Sequence, residues 1–161
     1  MAGADEYSRQ GQHVYETRFR VRYAETDQMG VVYHSNYIIW FEIGRVEMLR
    51  QLGFTYREME QQDDTHIAVV DERCRYKMPA RYDDLICVRT RLINVRESML
   101  RFGYEILRDA DLMLLAEGET VHLVVDANMK RKPLPKKYLL PFLQAAGQSP
   151  VIEATEVAEA G

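Results

Sequence analysis

Residues 23 to 37 read Tyr-Ala-Glu-Thr-Asp-Gln-Met-Gly-Val-Val-Tyr-His-Ser-Asn-Tyr, and these types at this spacing could do acyl chemistry. Asp27 sits in a loop that must turn sharply, with Gly30 available for a backbone conformation closed to other residues. A helix begins at about His34–Asn36, and its first N–H groups lack intrahelical partners and carry the positive end of the helix dipole. A covered helix N-terminus facing a cleft suits a developing oxyanion. A carboxylate beside it can act as nucleophile or as general base. Together they are the minimum equipment for hydrolysing an activated acyl group. The plainer reading stands beside it: a loop aspartate before a helix is also an ordinary turn former or cap, and Tyr33 and Tyr37 also serve as core aromatics.

The elements that must hold this segment are mostly strands. Phe19, Val21 and Tyr23 alternate with Arg18, Arg20 and Arg22, a period of two. Val70, Cys74, Tyr76 and Met78 alternate with Asp71, Arg73, Arg75 and Lys77 in a second strand. Ile86–Leu92 and Leu100–Ile106 give two more, and Leu112–Asp126 a long fifth. Short connectors, Arg96-Glu97-Ser98 and Asp109-Ala110-Asp111, make the last three strands antiparallel neighbours. One proline-free helix, Asn36–Leu52, lies between the first and second strands, with Gly53 placed as its C-terminal cap. Its first half is apolar on every side and must be covered on most of them. About 17 residues give roughly 25 Å of helix. Thr55 and Glu58 form a capping box for a short second helix near 55–62. The plan is α+β: one curved antiparallel five-stranded sheet around a long central helix.

Arg20-Val21, Thr26-Asp27, Gly30-Val31-Val32-Tyr33 and Tyr37, at these spacings, resemble the signature of the 4-hydroxybenzoyl-CoA thioesterase family. More closely, they resemble its bacterial acyl-CoA thioesterase branch associated with the Tol–Pal cluster. The likeness continues through Phe41-Glu42, Arg45, Leu49 to Gly53 and Pro79 to Asp84, and covers about residues 15–143. It implies the hot-dog fold, hydrolysis of acyl-CoA without a cofactor or metal, a cytoplasmic location, and a homodimer or homotetramer. It also implies roles. Asp27 matches the catalytic carboxylate, and His34 the helix start whose backbone N–H polarises the thioester carbonyl. Tyr33 matches an aromatic of the acyl site, while Gly30 and Val31 shape the loop against substrate.

Composition bounds the rest. The chain has 161 residues, 47% hydrophobic and 29% charged, with net charge −4. That suffices for one domain, expected over 14–144, between polar ends 1–13 and 145–161 expected to be disordered. The acidic balance argues against nucleic-acid binding through a basic surface. No apolar run reaches transmembrane length, and the start lacks a signal-peptide pattern. Cys74 and Cys87, with His13, His66 and His122, show no metal-ligand spacing. Glu42 and Arg45 lie three apart on the helix and could pair. Lys130, Arg131, Lys132, Lys136 and Lys137 form a basic run. It reads as a solvated face, as an anchor for the coenzyme A phosphates together with Arg75, Lys77 or Arg81, or as a dock for an acyl carrier protein. A non-catalytic acyl-binding module is the alternative from another class, and the retained Asp27 counts against it.

Overall fold

The computed structural model describes residues 11–149. Five strands, β1 (Tyr15–Arg20), β2 (His66–Tyr76), β3 (Leu85–Val95), β4 (Met99–Arg108) and β5 (Met113–Val125), form one antiparallel sheet. Their order is β1-β3-β4-β5-β2. The helices are α1 (Asn36–Gln51), α2 (Tyr56–Asp63) and α3 (Lys136–Ala145). Register shifts at Val69/Asp71, Leu92/Asn94 and Ile106/Leu107 mark irregularities in the ladder of the kind that bend a sheet. α1 packs against the inner face, the arrangement of the hot-dog fold.

α1 seats closely for two reasons. Trp40, Phe41, Met48 and Leu49 are essentially solvent-free, and Phe41 stacks on Tyr104 of β4 at 4.4 Å. Gly44 lets the helix backbone approach β3: a Cβ there would lie 2.3 Å from Thr90 Oγ1 and 2.8 Å from Val88 Cγ1. The helix ends as expected. Phe54 N–H donates to Leu49 O (2.9 Å) and Gly53 N–H to Arg50 O (3.0 Å), with Gly53 at φ +94°, the Schellman closure. Thr55 then caps α2 by accepting the Glu58 N–H at 3.1 Å.

Four features depart from the expectations. Tyr23 is not on the first strand; it opens a 3₁₀ turn, Tyr23–Glu25, and is 78% exposed. Val70 falls in the β2 irregularity and faces solvent. That slip puts the core-packed Ile67 and Cys74 on one face despite their opposite parity. Arg45 does not ion-pair with Glu42 but donates to the Tyr104 hydroxyl at 3.4 Å. Finally, the packed chain extends beyond 14–144. Gln12 Nε2 donates to Ile93 O at 3.2 Å, and Gln148 exchanges bonds with the Val95 backbone at 2.6 and 3.0 Å. The expectations for 1–10 and 150–161 lie outside the described residues.

Candidate functional site

The chain leaves β1 through Val21, which exchanges backbone bonds with Asp83 and Asp84. It then turns because Glu25 captures what precedes it. Glu25 Oε1 accepts the Arg22 N–H at 2.8 Å, and Oε2 accepts the Trp40 indole N–H at 2.8 Å. Burial pushes the Glu25 carboxyl up, but the Arg22 N–H, the Trp40 indole and the Arg22 guanidinium outweigh it. The carboxyl is held below its ordinary value, as an anion. The Glu25 carbonyl accepts the Tyr33 N–H at 2.9 Å, which closes the loop at its base.

Asp27 lies within that closed loop. Its Oδ1 accepts the Met29 N–H at 2.8 Å, and its own N–H donates to Val31 O at 2.9 Å. Gly30, at φ +77°, makes the turn between them. Oδ1 is therefore fixed by the backbone, while Oδ2 accepts no hydrogen bond from the described residues. Asp27, Val31 and His34 face Tyr37, Tyr76 and Lys77 across a cleft of about 310 Å³.

The start of α1 forms one wall of this cleft. Ser35 makes no side-chain cap. Among the described residues neither the His34 nor the Ser35 N–H has a protein acceptor, so two donors stand at the helix start. The Tyr76 hydroxyl donates to the His34 carbonyl at 3.0 Å, tying β2 to the helix. Desolvation first, and Cys74 beside it, push the Tyr76 phenol up to about 12, so it stays a neutral donor. Tyr37, beneath, takes the Ala80 N–H on its hydroxyl at 3.2 Å.

The expected residues divide into four groups. Asp27, Val31 and His34 line the cleft and Gly30 shapes its loop, while Lys77 lines it and stands 3.6 Å from Glu117. The Tyr33 side chain lies outside it, half-exposed, with its ring 4.4 Å from that of His34. Arg81 is on the exposed loop just after the lining residue Pro79, with its N–H on Asp84. Lys130 and Arg131 are remote. Arg131 bridges Val125, which pairs with His66 at the opposite end of β2 from Tyr76. At about 3.3 Å per residue, the ten steps between the 11 residues of β2 put the run roughly 33 Å along the strand from Tyr76.

Glu25 escaped the sequence reading as a structural group, although a glutamate three residues after Arg22 at a turn is a readable signal. Tyr76 read only as a strand residue, because its role depends on long-range pairing. A larger apolar groove of about 720 Å³ lies beside α3, lined by Val95, Leu134, Leu139 and Leu143. Among the described residues Glu97 is its sole acidic lining residue. Among the described residues no three metal-ligating side chains gather. Burial pushes both cysteine thiols up, away from thiolate chemistry.

The thioesterase-like superfamily model matches residues 21–147. The chain belongs to the thioesterase-like superfamily. Its match to that thioesterase model takes in the Asp27 loop, α1 and the whole sheet after β1. The acyl-CoA thioester hydrolase YbgC of Escherichia coli O6:H1 is 35% identical over 126 residues, spanning 78% of this chain and 92% of that protein. YneP of Bacillus subtilis (strain 168) is 38% identical over 114 residues, 71% of this chain and 81% of its own. The crystal structure of a Thermus thermophilus protein superposes with a TM-score of 0.75 at 36% identity, covering 81% of this chain and 95% of that one. This thioesterase is thus a hydrolase with the hot-dog fold. Among the described residues no helix is long and apolar enough to cross a membrane.

Proposed function

We propose that the protein hydrolyses acyl-CoA thioesters to free acid and coenzyme A in the cleft beside Asp27. The observation that carries this is the meeting of a backbone-anchored carboxylate with two N–H donors at the start of α1 that have no acceptor among the described residues. The His34 N–H polarises the thioester carbonyl and stabilises the oxyanion formed on attack. Asp27 acts as general base: Oδ1 is held by Met29, and Oδ2 takes a proton from water entering the solvent-open cleft as that water attacks the carbonyl carbon. The tetrahedral intermediate collapses with loss of the coenzyme A thiolate, which takes up the proton. Assignment to the Tol–Pal-associated branch rests on the motif alone.

Lys77 lines the cleft and Arg81 follows the lining residue Pro79 by two positions, and both suit the phosphates of coenzyme A. Lys130 and Arg131 can serve only from a second copy. β2 is a sheet edge. Antiparallel pairing of its free side with the β2 of a second copy brings that copy's His66 end, with its Lys130–Arg131 run, beside this chain's Tyr76.

A free-thiol release assay over short, long and aromatic acyl-CoAs, with acyl carrier protein thioesters in parallel, tests the activity. Turnover of at least one acyl-CoA is expected, and no thiol release from any would overturn it. One turnover in oxygen-18 water with enzyme in excess tests the base role: label in the acid is expected, and is shared with an anhydride opened at its acyl carbon, whereas unlabelled acid would show direct attack by Asp27 with water opening the anhydride at the aspartyl carbon.

A further inference from the structure

Asn36 occupies a gap in the sequence motif, yet it makes three of the contacts that define the start of α1. Its backbone N–H donates to the Tyr33 carbonyl at 3.0 Å. Its side-chain Nδ2 donates to the same carbonyl at 3.2 Å and to the Glu25 carbonyl at 3.0 Å. Both neighbours of Nδ2 are carbonyl oxygens, so the amide orientation is fixed by chemistry: only the NH₂ end can face them. Each hydrogen of that group has one acceptor.

The Tyr33 carbonyl and the His34 N–H belong to one peptide unit. Because the peptide is planar and trans, fixing the carbonyl fixes the direction of the N–H on the opposite side. Two donors on the carbonyl oxygen also draw electron density through the amide and strengthen its N–H as a donor. The neighbouring peptide is secured otherwise, its His34 carbonyl taking the Tyr76 hydroxyl at 3.0 Å and the Tyr37 N–H at 3.3 Å. The Asn36 side chain is therefore the one side-chain anchor found on the peptide that carries the His34 N–H, among the described residues.

We propose that the Asn36 carboxamide, bridging the Tyr33 and Glu25 carbonyls, is a positioning residue that aims and polarises the His34 N–H at the thioester oxygen. This rests on the reading of that N–H as the oxyanion donor. The carboxamide also ties the start of α1 to the loop closed by Glu25, so the Asp27 loop and the donor keep one relative placement. Removing an oxyanion donor outright costs about 10²–10³ in rate. Loosening one while leaving it present costs less, about 10- to 100-fold.

The test uses Asn36→Ala and Asn36→Ser. Alanine is a good helix former at this first helical position and removes only the carboxamide donors. Serine restores one donor that can reach back to the carbonyl three residues earlier. With the fastest substrate of the acyl-CoA panel, Asn36→Ala should lower kcat about 10- to 100-fold with KM within about twofold, and Asn36→Ser should recover part of the loss. The decisive readout is the infrared band of that acyl-CoA labelled with carbon-13 at its carbonyl, bound to protein carrying Asp27→Asn to prevent turnover. The band should fall in frequency on binding, and adding Asn36→Ala should return it toward its position in water. An unchanged band with reduced kcat would overturn the proposal, since Asn36 would then act only on structure. No fall in frequency with Asn36 intact would overturn the oxyanion reading beneath it, and the proposal with it.

Discussion

Asp27 and Glu25 are two carboxylates two residues apart, and their surroundings assign them different work. Glu25 is buried with both oxygens taken by Arg22 and Trp40, so it holds the loop. Asp27 lines the cleft with one oxygen anchored on Met29 and the other accepting no hydrogen bond from the described residues. Trp40→Phe should leave Glu25 Oε2 without its buried donor and cost about 1–3 kcal/mol in urea denaturation. An unchanged midpoint would mean the indole does not brace the loop. Asp27 was legible because a Thr-Asp pair four residues before a Gly-Val-Val-Tyr run is a local pattern. Tyr76 was not, since its role depends on a contact made across 42 residues; Glu25 was legible only in its local half, the bond to Arg22 three residues back, while its bond to the Trp40 indole needs α1 in place. The basic run at Lys130–Arg131 was visible, but its distance from the cleft is a property of strand direction, which charge counting does not contain.

Among the elements, alternation located β3 and β4 and parts of β1 and β2, the stretch Leu112–Asp126 covered β5, and the all-round apolar face located α1, because burial on one side or all sides leaves its pattern in the residues. α3 went unread. Pro141 lies inside it, and an interior proline ordinarily ends a helix. Tyr138, Phe142 and Ala145 do recur at four and three residues, the spacing of one buried helical face. The β2 irregularity was hidden for a different reason: a one-residue slip reverses facing without changing composition. Gly44→Ala should destabilise the fold by about 1–3 kcal/mol through overpacking against Thr90 and Val88, and thermal unfolding will show whether α1 tolerates the methyl. Buried polar groups link β4 and β5: the Tyr104 hydroxyl lies 2.6 Å from Thr120 Oγ1, and His122 Nε2 lies 2.7 Å from the same oxygen. Burial first, and the charge of Arg45 second, push the His122 pKa down to about 3. An unfolded histidine binds its proton near pH 6.5. Between these values the unfolded chain holds the extra proton, so stability falls as pH drops, by up to about 1.4 kcal/mol per pH unit. Urea unfolding at pH 7 and pH 5 should show this decline, and His122→Gln, which stays neutral, should flatten it. An equal decline in that variant would assign the loss to other groups.

At the scale of the molecule, β2 is an edge strand and its outer side carries Val69, Val70 and Tyr76 in the open, followed by Met78. Ile39 on α1 is also 47% exposed, so the helix that is apolar all round is not fully covered by the described residues of one chain. Long apolar edges invite pairing, and a twofold pairing of β2 would satisfy the edge and bring a second copy beside the cleft. Light scattering at micromolar concentration should therefore give at least twice the 18.8 kDa chain mass. A monomer would remove Lys130 and Arg131 from coenzyme A binding, because no single chain brings them to the cleft. With a dimer, reversing both charges should raise KM for acyl-CoA and leave a pantetheine thioester, which lacks the nucleotide phosphates, unaffected.

The measurement that bears most directly on the central claim is the turnover of Asp27→Asn in the thiol-release assay, beside wild-type protein of equal thermal stability. The swap is nearly isosteric, keeps an acceptor for the Met29 N–H, and removes the group that takes the proton from water. Turnover should fall by about 10²–10⁴-fold. A variant that keeps more than about half of the wild-type rate, where general-base loss should leave at most about 1%, would contradict a catalytic role for Asp27.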